Sequence, residues 1–111
     1  MDIQKYIIDT VDYRNIWVVL TEKKWLEKSV QHPELLNKSF LASIEKTLKS
    51  PDEVWEDYSD PKNKTCSYKK YSQHTYTKVI VWMTQKPNQI VSSFETNYIK
   101  ETKYPNIKRL R

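Results

Sequence analysis

Apolar and polar positions alternate over short runs at both ends of this chain and recur every four residues in between. Ile3 to Ile8 and Ile16 to Thr21 read as strands, separated by the polar turn Asp12-Tyr13-Arg14-Asn15. Ile16-Trp17-Val18-Val19-Leu20 is apolar without a break, as expected of a strand buried on both faces. Thr21 offers a capping hydroxyl and Glu22 an acid for the positive helix end, which predicts a helix with Trp25, Leu26 and Val30 on one side. Pro33 suits the first turn of a second helix and holds His32 outside helical geometry. Leu36, Phe40, Ile44 and Leu48 then follow at four-residue spacing, beside Leu41, until Ser50-Pro51-Asp52 ends the helix.

The second half returns to a period of two. Val54 to Tyr58, Cys66 to Ser72, Tyr76 to Met83 and Gln89 to Glu95 read as strands. They are joined by Asp60-Pro61-Lys62-Asn63-Lys64, Gln73-His74-Thr75 and Gln85-Lys86-Pro87-Asn88, turns that suit an antiparallel meander. Val79, Val81 and Met83 share one face and Ile80 and Trp82 the other, so this strand is expected at the sheet centre. The resulting fold class is α+β, with two helices from the N-terminal half packed on one face of a mainly antiparallel sheet of about four strands. Residues 1–98 are expected as a single domain, and residues 99–111, with weak periodicity, as a mobile basic tail.

Composition narrows the function. The 111 residues include no glycine, against about eight for average usage. Glycine-rich phosphate loops are therefore excluded, since their turns need Gly at fixed places. The single cysteine, Cys66, allows no intrachain disulfide, and it shows no metal-ligand spacing with His32 and His74, so no metal or cofactor is expected. No signal peptide or membrane span is read from the chain, and a cytoplasmic location is expected. The net charge is +5, unevenly spread. Between Lys62 and Lys86 there are lysines at 62, 64, 69, 70, 78 and 86 and no acid, with Tyr68, Tyr71 and Tyr76 interleaved. That pattern suits phosphate contact combined with base stacking.

One composite motif stands out. Lys24-Trp25-x-Glu27 is followed by His32-Pro33-Glu34, with His32 seven residues after the tryptophan, then a helix, then Pro51-Asp52 before the strands. This resembles a phage-associated group of the barnase–EndoU–colicin–RelE-like nuclease superfamily. Ile90-Val91-Ser92-Ser93-Phe94-Glu95-Thr96 resembles that group's last strand, with Ser92 at its hydroxyl position and Phe94 at its aromatic one. Glu27 stands where the group has a histidine. The likeness spans residues 16–98 and implies a RelE/barnase-like fold and metal-independent RNA cleavage, in which the 2′-hydroxyl attacks the adjacent phosphate.

Such chemistry needs a base, an acid, and cations or hydroxyls for the phosphorane charge. The resemblance nominates Glu27 and His32 for proton transfer and Ser92 for stabilisation of the phosphate; Lys70, flanked by Tyr71, is the lysine chosen to stabilise the phosphorane. Strand parity does not separate Lys70 from Lys69. Lys69, Tyr71 and Thr96 are expected to bind substrate. His74 is expected in a surface turn and Trp25 in the core. RNA is the expected partner, with an antitoxin or immunity protein as a second partner if the chain is a toxin or mobile-element effector. Two further readings stay open: an inactive RNA-binding module, with Glu27 marking lost catalysis, and a protein-interaction module using the Tyr- and Trp-rich surface.

Overall fold

The computed structural model describes residues 5–84 and 86–111. The proposed first strand thus begins outside the described residues at Ile3, as does Gln85 of the last turn. In chain order the elements are β1 (Tyr6–Val11), β2 (Trp17–Thr21), α1 (Glu22–Ser29), a one-turn 3-10 helix (Pro33–Leu36), α2 (Lys38–Lys49), β3 (Glu53–Glu56), β4 (Lys64–Ser72), β5 (Thr75–Trp82), β6 (Asn88–Thr96) and a second 3-10 turn (Lys100–Lys103). The fold is α+β, but the sheet has six strands rather than about four, in the order β1-β2-β6-β5-β4-β3. It is also mixed: β2 runs parallel to β6 over Val18 and Val19, while the other pairs are antiparallel. The N-terminal hairpin and the C-terminal meander are therefore one sheet, which no local pattern could have joined.

Local chemistry sets the elements. The β1–β2 turn is built on Asp12, whose carboxylate accepts from the backbone N–H groups of Arg14 (2.8 Å) and Ile16 (3.0 Å). Asn15 takes the left-handed conformation there (φ 66°), the role glycine would play in a chain that has none. The Thr21 hydroxyl accepts from Lys24 N and caps α1, as expected. The second helix departs from expectation. Pro33 opens only a 3-10 turn, because the Asn37 side chain accepts from Ser39 N and starts α2 afresh. Leu26 and Val30 were expected on the buried side of α1 but are exposed, whereas Trp25 packs on the core and donates to Leu35 O.

The sheet has a core on each face. Toward α2, Phe40, Ile44 and Leu48 pack against Ile8, Val18, Leu20, Val79, Val81 and Ile90. On the other face, Cys66, Tyr68 and Ile99 cluster with Trp55, Tyr76 and Ile80. The segment that closes this second cluster is the one expected as a mobile tail. Residues 99–111 turn back along β3: Leu110 and Arg111 donate to Val54 O, Glu56 donates to Lys108 O, and Arg109 bridges Trp55. Ile99 and Glu101 are buried. The tail docks because β3 is an edge strand with unpaired backbone groups and the sheet face beside it is apolar. Among the described residues no helix is long and apolar enough to cross a membrane.

Candidate functional site

Strand register places three rows of side chains on the sheet face away from α2. Cys66, Ile80 and Ser92 form one row, Tyr68, Lys78 and Phe94 the next, and Lys70, Tyr76 and Thr96 the third. Over the β5–β6 side of these rows opens a cleft of about 380 Å³, a size that suits a small ligand or one unit of a polymer. Ser92, Phe94 and Thr96 of β6 and Lys78 and Ile80 of β5 line its floor. Lys28 borders it from α1, Tyr58 and Ser59 from the β3–β4 connection, Lys64 from the start of β4, and Tyr98 and Lys100 from the docked C-terminal segment.

His32 does not line this cleft but packs on a residue that does. Its ring stacks on Phe94, with centroids 5.0 Å apart and planes 16° apart. The reason is local: Pro33 keeps His32 out of helical geometry (φ −128°, ψ 77°), while His32 N donates to Lys28 O and ties it to the end of α1. Glu34 reaches back, so its Oε1 lies 3.6 Å from His32 Nδ1. That oxygen is buried and has no hydrogen-bond partner among the described residues. The His-Pro-Glu order is thus a device that turns an imidazole toward β6 with a carboxylate behind it.

The sequence-nominated residues divide. Ser92 and Thr96 lie in the cleft and His32 packs on the Phe94 that lines it. Glu27 does not take part: it is exposed on α1 and pairs with Lys24 at 3.6 Å. Lys70 shares the face but lies beyond Tyr76, two strands or about 10 Å from Thr96. Lys69 points to the α2 side, where its ammonium donates to Ser50 O at 2.8 Å. Tyr71 is exposed beyond a β4 bulge, with Glu95 beside its phenol pushing that pKa up. Glu27, nominated by the resemblance, is turned outward on α1, strand alternation puts Lys69 on the opposite face from Lys70, and the bulge after Lys70 carries Tyr71 away from the rows.

No family model, curated protein or solved structure matches this chain.

Sequence reasoning missed Lys28, Lys64, Lys78, Lys100 and Tyr58. Lys78 alone left a signal, as a charged residue on the inward face of an otherwise apolar strand. Lys100 donates to the Tyr58 hydroxyl at 2.8 Å and sits over its ring, and Tyr104 stacks on that ring at 4.8 Å. The hydrogen bond to Tyr58 pushes the Lys100 pKa up. The C-terminal segment therefore builds one wall of the cleft.

Behind the cleft lies a buried polar network. Tyr68 donates its hydroxyl to Glu101 Oε1, Cys66 donates its thiol to Asp57 Oδ1 at 3.4 Å, and Ser59 donates to Asp57 Oδ2 at 2.6 Å. Asp57, Cys66 and Glu101 each bring one potential ligand atom within 4.8 Å of the others. We assign no metal to them: burial keeps Cys66 as the thiol rather than the ligating thiolate, and Lys78 stands 3.6 Å from Glu101.

That network carries a pH prediction. Burial chiefly, and the Glu101 and Asp57 charges next, push the Cys66 thiol up, outweighing the opposing effect of Lys78. Burial and then the Glu101 bond push Tyr68 up likewise. The folded state thus keeps a thiol proton that the unfolded chain releases above about pH 8.5. Stability is fully present below that pH and falls above it by about 1.4 kcal/mol per pH unit. Tyr68 adds a loss of the same sign above about pH 10. Urea midpoints measured from pH 7 to 10 should fall in the wild type and flatten between about pH 8.5 and 10 in Cys66→Ala. An unchanged slope in the variant would exclude the thiol as the cause.

Proposed function

We propose that this chain is a small RNase of the toxin or effector type, with a RelE/barnase-like arrangement, that cleaves single-stranded RNA without a metal ion. The observation that carries the reading is the stacking of His32 on Phe94, a residue lining a cleft bordered by four lysines and by Ser92 and Thr96. The resemblance of the Lys24-to-Asp52 segment and of Ser92 to Thr96 to the nuclease superfamily supports it. An RNA phosphate lying on β5 and β6 has an imidazole on the β6 side. On the β4 side it has the Lys100–Tyr58 pair, across about two strand spacings. In-line displacement needs a base and an acid on such opposite sides. His32 takes the proton of the 2′-hydroxyl as that oxygen bonds to phosphorus. The P–O5′ bond breaks and the Lys100 ammonium gives a proton to the departing 5′-oxygen. Ser92 and Thr96 donate to the phosphorane oxygens, and Glu34 steadies the imidazolium that forms. The products are a 2′,3′-cyclic phosphate and a 5′-hydroxyl.

The position of Glu27 favours a second reading. With no second imidazole at the cleft among the described residues, the same scaffold suits RNA binding without turnover. Incubation of the purified chain with end-labelled single-stranded RNA in EDTA separates the two. Products ending in 2′,3′-cyclic phosphate support the RNase. Salt-sensitive retention of intact RNA supports the binding module, and the absence of both results removes an RNA function. An antitoxin that covers the cleft is the expected partner of an active enzyme.

A further inference from the structure

The least compensated group at the cleft is Lys78. β5 carries it between Tyr68 and Phe94, whose ring centroids lie 5.2 and 5.7 Å from its Nζ. Its side chain is 4% exposed, yet it lines the cleft. Among the described residues its ammonium makes no hydrogen bond. The nearest carboxylate oxygen, Glu101 Oε2, is 3.6 Å away, beyond N–H···O reach. That oxygen is itself a buried acceptor with no hydrogen-bond partner among the described residues. The pair is held at ion-pair distance by the backbone of two different elements, and neither member completes the other.

A buried ammonium is costly unless both paired and hydrogen-bonded. Here the pairing is partial and the donors face a cleft that also presents Lys28, Lys64 and Lys100, with hydroxyls from Ser92, Thr96 and Ser59. Four cations around one small cleft, with several hydroxyl donors between them, match an anion having several oxygens on a compact centre. A phosphate group has that form, and lysine binds it as a point charge. Glu101 lies behind Lys78, bonded by Tyr68, and competes with any incoming anion for the same ammonium.

We propose that Lys78 is the phosphate anchor of this cleft and that it exchanges Glu101 for a phosphate oxygen when ligand arrives. In the RNase reading, on which the identity of the ligand rests, that oxygen belongs to the scissile phosphodiester. The exchange itself needs only an anion. Glu101 thereby sets affinity from outside the cleft: it keeps the ammonium in place without satisfying it.

The test measures binding rather than turnover, using inorganic phosphate and an all-deoxy oligonucleotide that cannot be cleaved. Glu101→Gln keeps an oxygen for the Tyr68 hydroxyl but removes the competing charge, and should tighten both ligands about three- to tenfold. Lys78→Met should weaken both at least tenfold. Because Lys78→Met leaves Glu101 buried and unpaired, the double variant Lys78→Met/Glu101→Gln removes both charges. It should bind as weakly as Lys78→Met, showing that the gain from Glu101→Gln acts through Lys78. Unchanged or weaker binding in Glu101→Gln overturns the proposal, as does wild-type affinity in a folded double variant. Tightening in an enzyme that never cuts RNA would keep the anchor and remove the RNase. Cleavage with phosphate binding indifferent to Lys78 would do the reverse.

Discussion

His32→Phe is expected to abolish most RNA cleavage, lowering it about 10²- to 10⁴-fold, the usual weight of one acid–base residue, while the protein stays folded. Phenylalanine is the informative replacement because two jobs are proposed for His32. Its ring packs face to face on Phe94, a contact worth about 0.5–1.5 kcal/mol beyond area burial, and an aromatic ring at position 32 can keep that contact. Only the imidazole can move a proton near neutral pH. His32→Ala should lose both, with cleavage as low as in His32→Phe and a somewhat lower melting temperature. Cleavage rates and thermal melts measured on the same preparations read the two jobs separately. A His32→Phe protein that cuts RNA at the wild-type rate would remove His32 from the chemistry, whatever the alanine variant does.

What the sequence made legible follows from range. Capping and periodicity are local, and Thr21, Pro33 and the Phe40–Ile44–Leu48 stripe put the helices within a few residues of where they lie. The exception is instructive: Leu36 continues the stripe by spacing, but the Asn37 side-chain cap interrupts the helix and Leu36 is exposed. Ser92 and Thr96 come to the cleft together because they share one face of one strand. The cleft as a whole was not legible, because it draws on five separate parts of the chain. The parallel β2–β6 pairing brings α1 beside β6, and from sequence there is no sign that two segments about 70 residues apart should pair. The docking of residues 99–111 brings Lys100 and Glu101 to a sheet face that β4 and β5 had left half covered. Lys70 was preferred to Lys69 for its tyrosine neighbour, and Lys78 was not weighed, although the register sets it directly beside Phe94.

That docking has the largest consequence for stability. A chain ending at Tyr98 is expected to lose most of its folding free energy rather than to behave as a trimmed domain. Deletion removes Ile99, whose burial contributes about 1.5–3 kcal/mol, and opens Cys66 and Tyr68 to water. It also strips Lys78 of the Glu101 carboxylate 3.6 Å away and Tyr68 of its hydrogen-bond acceptor, and breaking a buried ion pair costs about 3–5 kcal/mol. The backbone bonds that residues 108–111 exchange with Val54 and Glu56 go as well, leaving β3 a bare edge. Against a typical stability of about 5–15 kcal/mol, these losses bring a domain of this size to the edge of unfolding. Urea titration followed by circular dichroism would show the truncated chain largely unfolded in buffer or with a midpoint near zero denaturant. A truncation only from Lys108 onward, which spares Ile99 and Glu101, should cost much less. If the chain ending at Tyr98 melts within a few degrees of the full protein, the second core does not hold the fold together. The C-terminal wall would then serve the cleft alone.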